Sequence, residues 1–273
     1  MNIAMTFAEA SGIKAYRNLV KDMTALQLWY ITNVIKVKKE NFAVLLNHYS
    51  RIYTYSNAYH KDVPAERNPD WQEIVAKLKE NWLKVGNENF PNSSWSILQE
   101  YIEPKIVPNI NKAKKDLAKS FYGFSYEFHH EYFGPAKPEF LTLHFRNYFC
   151  PDTPFHHISK LIEGLLKVIE HALQERPNIN HIQCASWLNN IKSFNQLFPD
   201  AWIENSQECP IGGNLGWWGQ FIDRKNQLHK KNVAKFKQTK KFLYPNLHCQ
   251  CKIQDLKQHL EQFQQSSKTN KSQ

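Results

Sequence analysis

One stretch constrains this chain more than any other. Leu141-Thr-Leu-His-Phe-Arg-Asn147 alternates apolar and polar residues, the period of an extended strand with Leu141, Leu143 and Phe145 on one face and Thr142, His144 and Arg146 on the other. Asp152-Thr153-Pro154 then opens a helix, combining capping side chains with proline in the first turn. Ile158, Leu161, Ile162, Leu165, Leu166, Ile169 and Leu173 form one apolar stripe along it, and it stops before Pro177. The next apolar run, Ile182-Gln-Cys-Ala-Ser-Trp-Leu-Asn189, reads as a second strand. Two strands joined by such a helix pair in parallel by default. Leu143, Phe145, Leu161, Leu165, Ile169 and Ile182 should therefore share one core, because neither stripe has another apolar face to cover it.

The rest of the chain is arranged around this unit. The first half reads as helical: Leu26, Trp29, Tyr30, Asn33 and Val34, then Phe42, Leu45, Leu46, Tyr49, Ile52 and Tyr53, return at helical spacing. After Asn68-Pro69-Asp70 a helix capped at Asp70 should bury Trp71, Ile74, Val75, Leu78 and Trp82. Another follows Asn92-Ser93-Ser94 with Ile97, Leu98, Tyr101 and Ile102, and Pro104 and Pro108 should interrupt it. An aromatic, glycine- and proline-bearing texture from Phe121 to Pro138 marks a boundary. Trp217 to Ile222 reads as a third strand, and Ile253, Leu256, Leu260 and Phe263 mark a last helix. The fold class is α+β, with a helical N-terminal domain over 1–135 and a small mixed β-sheet flanked by helices over 136–273.

Function classes narrow on composition. With 273 residues and 42% hydrophobic content the chain can bury a full core without disulfides or metal. Mean hydropathy is −0.60 and no apolar run approaches a membrane span. Met1 to Lys21 lacks a signal peptide's apolar core, and Cys150, Cys184, Cys209, Cys249 and Cys251 form an odd, irregular set; both point to a cytoplasmic protein with free thiols. A net charge of +10 favours anionic partners, although lysines facing water give the same sign.

The candidate chemistry falls at the ends of the two strands. His144 and Arg146 share a face, where an imidazole base and a guanidinium anion clamp would enter one cleft, or where they would simply satisfy each other in the sheet. Asn147 caps the turn beyond. Cys184 and Ser186 alternate onto one face as candidate nucleophiles, with no Gly-x-Ser-x-Gly elbow around them. Trp187 and Asn189 follow as pocket-lining candidates. His129-His130-Glu131, His156-His157 and His248-Cys249-x-Cys251 carry ligand-type residues but no complete spacing, so no metal is expected.

The strand with Leu143-His144-Phe145, the long helix behind it and Cys184-Ala185-Ser186-Trp187-Leu188-Asn189 resemble a GNAT-like acyltransferase domain over residues 139 to 222. The resemblance implies acyl transfer from a coenzyme A thioester to an amine or hydroxyl, or a non-catalytic relative of such an enzyme. In that family backbone amides of a glycine-containing turn opening a helix cradle the pyrophosphate. Here the glycine-rich run Gly212-Gly213-Asn214-Leu215-Gly216 leads instead toward the expected third strand, which leaves Gly212 and Gly213 as ligand-binding candidates outside that pattern.

The alternative is a basic, nucleic-acid-associated binding protein without enzymatic activity. Arg224-Lys225, Lys230-Lys231, Lys235, Lys237 and Lys240-Lys241 form the densest charge run. Phe236, Phe242 and Tyr244 are interleaved as possible stacking surfaces for bases. The oligomeric state is not legible.

Overall fold

A computed structural model describes residues 7–128 and 139–269, with side chains over 12–128 and 139–265. The helical half comprises α1 (Phe7–Asn33), α2 (Phe42–Tyr49), α3 (Ile52–Tyr55), α4 (Pro69–Ser93) and α5 (Trp95–Ala118). There follow β1 (Phe124–Glu127), β2 (Phe140–Phe145), α6 (Ile158–Glu175) and β3 (His181–Ser186). The chain continues through α7 (Lys192–Asn195), α8 (Ala201–Glu204), β4 (Gln207–Glu208), α9 (Leu215–Trp218) and α10 (Lys230–Thr239), and ends in β5 (Leu247–Lys252) and α11 (Ile253–Thr269). The fold is α+β: a helical N-terminal region, then a mixed five-stranded open sheet with flanking helices.

Two compact units are interleaved along the sequence: Met1–Lys114 with Ile211–Leu243, and Lys115–Pro210 with Tyr244–Gln273. The second half of the chain is thus shared between them, where the sequence suggested one boundary near residue 135.

In the helical unit Leu28, Ile31, Phe42, Leu46, Trp71, Leu78, Phe90, Leu98 and Ile102 make one core. The α4 stripe is the one expected, but its cap is Asn68, which accepts the Trp71 N–H at 2.9 Å, with Pro69 in the first turn. Gly86 breaks that helix at φ 75°, a backbone setting open to glycine. Pro104 and Pro108 do not end α5, which runs through both while burying Leu98, Ile102 and Ile106. Proline costs about 3 kcal/mol inside a helix, and here the packing of that stripe outweighs it.

A second, aromatic core in the same unit joins Leu19, Met23, Leu26 and Tyr30 of α1 to Trp217, Trp218, Phe221 and Phe236. Trp217 to Ile222 is therefore not a strand. It forms α9 and a 3-10 turn at Gly219–Phe221, burying Trp217, Trp218 and Phe221 at helical offsets. So short an apolar run fits either period, and packing against α1 decided it.

In the sheet unit the strand order is β1-β2-β3-β5-β4. β2 and β3 are parallel, and the other neighbours are antiparallel. Leu143, Leu161, Leu165, Ile169 and Ile182 are buried in one core with Phe145 packed against it, as the strand and helix stripes require. Leu256 and Leu260 of α11 and Trp202 of α8 complete it. Two close approaches need glycine. A Cβ on Gly123, whose φ is +98°, would lie 2.2 Å from the Arg146 carbonyl oxygen, and one on Gly164 would lie 2.4 Å from that of Phe121.

Candidate functional site

Alternation along the strands sorts the sheet into two faces. Phe124, Tyr126, Leu141, Leu143, Phe145, Ile182, Cys184, Leu247, Cys249 and Cys251 belong to the core. The opposite face carries Ser125 and Glu127, Thr142 and His144, Gln183 and Ala185, and His248 and Gln250. These polar residues are linked across strands. His144 Nε2 lies 2.8 Å from Glu127 Oε1. Gln183 donates its amide Nε2–H to Thr142 Oγ1 at 3.1 Å, and its Oε1 lies 3.1 Å from His248 Nε2. Because Gln183 donates to Thr142 through nitrogen, its oxygen faces the imidazole, which fixes His248 Nε2 as the protonated, donating nitrogen. Thr142 and Gln183 are buried, whereas His144 and Glu127 keep 45% and 42% side-chain exposure. The result is a closed polar row beside an accessible imidazole–carboxylate pair.

That pair sits where the sheet opens. β2 and β3 pair only through Phe140↔His181, Leu141↔Ile182 and Thr142↔Gln183, although each strand runs three residues further. Beyond that point β2 continues along β1 and β3 continues along β5, so the two parallel strands part at their carboxyl ends. Backbone direction follows from two bonds. The Arg146 N–H donates to Gly123, so even positions of β2 face β1 and odd positions face β3. The His181 N–H donates to Glu139, so odd positions of β3 face β2. The backbones of Phe145 and Ala185 thus turn toward the gap past the last ladder pair. Among the described residues the β2–β3 ladder does not extend to these two positions, and an edge of that kind is one onto which an extended, amide-bearing ligand can add like a strand. On the core side the ring of Phe145 closes the gap against Phe124 at 4.9 Å and Phe194 at 5.8 Å.

The residues singled out in the sequence are only partly brought together. His144 lies on the polar face, and Arg146 is exposed at the end of the same strand. Cys184 and Ser186 lie on the core face, away from His144. Burial pushes the Cys184 thiol up to about 12, with Cys249 and Cys209 adding to it, so the thiolate is disfavoured. Ser186 Oγ accepts the Leu188 N–H at 3.1 Å and caps the 3-10 turn Trp187–Asn190. Asn189 is buried and holds loops together: its amide donates to the Cys184 and Leu247 carbonyls, and its oxygen accepts Trp202 Nε1–H. Trp187 is half-buried and stacks on Tyr244 at 5.9 Å. Asn147 shapes its own turn, accepting from Phe149 N–H and donating to the Asp152 carbonyl.

Gly212 and Gly213 belong to the helical unit. A Cβ on Gly213 would stand 2.5 Å from the Ser50 carbonyl oxygen, so close packing explains that glycine, and the run leads into α9 rather than a strand. Lys230, Lys231, Lys235 and Lys237 lie exposed on α10. Phe236 is buried in the aromatic core, with Phe242 packed against it, and Tyr244 stacks on Trp187 in the other unit, so the expected row of base-stacking rings along the segment does not form.

Among the ligand-type clusters, His129-His130-Glu131 lies outside the described residues. His156 and His157 both contact Asp152, at 3.1 and 3.0 Å, and the Thr153 N–H bond, with these histidines, holds the Asp152 carboxyl below its ordinary range. His248 points to the polar face while Cys249 and Cys251 point into the core, which strand geometry dictates for consecutive residues. Among the described residues no group of three or more His, Cys, Asp or Glu is placed to hold a metal ion. No described helix is long and apolar enough to cross a membrane.

Glu127, Gln183 and His248 were not singled out for the polar face from the sequence. Phe124-Ser-Tyr-Glu127 does alternate with period two, and pairing that strand with β2 would have brought Glu127 to His144. No protein-family model matches the chain, and neither does any curated protein or solved structure.

Proposed function

We propose that the sheet unit transfers an acyl group from a coenzyme A thioester to an amine or hydroxyl. The observation that carries this reading is the parting of β2 and β3 beside the Glu127–His144 pair. The pantetheine arm of the donor is extended and contains two amides, which matches the backbone groups offered along the gap. Carboxyl ends of parallel strands are also where open α/β sheets receive ligands. His144, oriented by Glu127, takes the proton from the acceptor nitrogen or oxygen as it attacks the thioester carbonyl, and the imidazolium returns that proton to the departing thiolate. Arg146 supplies a cation for the donor's phosphates. The 3-10 turn Pro154–His157 that leads into α6 has no glycine, and just before it the Asp152 carboxylate accepts the Thr153 N–H, so the phosphates are not assigned to that end of the helix. The resemblance to GNAT-like domains, over the strand, helix and strand from Leu141 to Leu188, supports the same reading.

The test is direct binding and turnover. Acetyl- and longer acyl-coenzyme A are titrated into the full chain by calorimetry, and loss of thioester absorbance is followed with polyamine, peptide and alcohol acceptors. Saturable binding and acceptor-dependent thioester loss are expected. No binding of any thioester up to millimolar concentration would end the proposal.

A further inference from the structure

Beyond that activity, and independently of it, we infer that the outer face of α10 and its flanking turns binds the phosphate backbone of a nucleic-acid duplex without regard to base sequence. From Arg224 to Lys241 the chain holds eight lysines and arginines and no acidic residue. All eight are exposed. The helix is anchored by its other side: Phe236 is buried against Tyr30, Trp218 and Phe221, with ring centroids at 5.6, 6.1 and 4.8 Å, and Val233 packs on the same core. Rigid anchoring holds the cations outward on a fixed surface. Asp223, the nearest acid in sequence, is committed to its own turn, accepting from the Lys225 and Gln227 N–H groups at 2.8 and 2.9 Å. Lys230 lies near the carboxylate of Asp22 on α1.

The chemistry of this face selects among anionic partners. Its outward positions are lysines with Ala234 and Gln238 between them, so nothing large and apolar is available to enter a bilayer. Phe236 is spent in the core, so the helix presents no platform on which unpaired bases could stack. What remains is a row of point charges. A rise of 1.5 Å per residue sets Lys230 and Lys237 about 10 Å apart along the axis, and a duplex presents a negative charge about every 1.7 Å, so several phosphates fall within reach of one helix face.

Fluorescence anisotropy of a labelled mixed-sequence duplex, with the full chain and a salt series, tests this. The variant replaces Lys225, Lys231, Lys235 and Lys241 with glutamine. Lys230 is kept because it faces Asp22, and Lys237 because its ammonium lies over the Trp29 ring at 5.7 Å. The expected results are duplex binding that falls steeply with salt, at least about tenfold weaker binding by the variant, and a log–log salt slope shallower by about three to four. A second variant with arginine at the same four positions should bind as the parent does, which separates charge from folding. Absence of duplex binding at low salt would overturn the inference, as would glutamine and parent proteins that bind alike. Preference for phosphatidylserine vesicles, or for an unstructured single strand, over the duplex would overturn it equally.

Discussion

His144 is in register with Ser125, yet its imidazole bonds diagonally to Glu127, at 2.8 Å on the neighbouring antiparallel strand. Diagonal neighbours on one sheet face lie about 7 to 8 Å apart at their backbones, a span that a glutamate and a histidine close together. The pair therefore depends on the β1–β2 register, and a slip of one residue would send the two side chains to opposite faces.

If that pair moves the proton in acyl transfer, His144→Ala lowers turnover by about 10² to 10⁴-fold, the usual contribution of a positioned base. Glu127→Gln keeps the imidazole and removes its orienting charge, so it lowers turnover less and moves the pH profile. Neither change should alter the KM for the thioester much. Steady-state kinetics across pH decide this, and an E127Q profile superimposable on the parent's would leave Glu127 with no part in orientation.

The thiols give a second expectation. All five cysteines are thiols, and of the five only Cys150 is exposed. A thiol reagent should modify one cysteine quickly in the native protein and all five in denaturant. Rapid modification of Cys184 would contradict the packing described above.

A pH dependence follows from the same residues. Burial raises Cys184, Cys249 and Cys251 from 9.0 to about 12. Between those values the unfolded chain has lost thiol protons that the folded chain retains, so stability falls as pH rises from 9 toward 12. Denaturant midpoints measured across that window should decline, and serine at these positions should reduce the decline.

Gly123→Ala should destabilise the sheet unit by about 2 to 4 kcal/mol, since it combines a positive φ with a Cβ 2.2 Å from the Arg146 carbonyl oxygen. Gln183→Ala removes the centre of the polar row and leaves Thr142 and His248 without it, at a cost of about 1 to 3 kcal/mol. Urea unfolding followed by tryptophan fluorescence measures both.

How much of this was legible in the sequence depends on range. β2, α6 and β3 follow from local periodicity, since Leu143, Leu165 and Ile182 sit on stripes that need no knowledge of distant partners. β5 was not found. Leu247, Cys249 and Cys251 alternate inward, but cysteines beside His248 read as metal ligands until the pairing with β3 is known. The fate of Trp217 to Ile222 was equally hidden, because whether that run became strand or helix depended on α1, nearly two hundred residues earlier. His144 was found because it lies on a strong strand. Glu127 was not, because its role exists only once β1 is laid beside β2.

The interleaving of the two units also sets a timetable for synthesis. Tyr30 leaves the ribosome well before Phe236, which stacks on it at 5.6 Å and is made about 200 residues later. At roughly 5 to 20 residues per second, the aromatic side of α1 waits on the order of 10 to 40 s for its partner. Over that interval the aromatic side of α1 lacks the residues that cover it, which makes this core a late event in maturation.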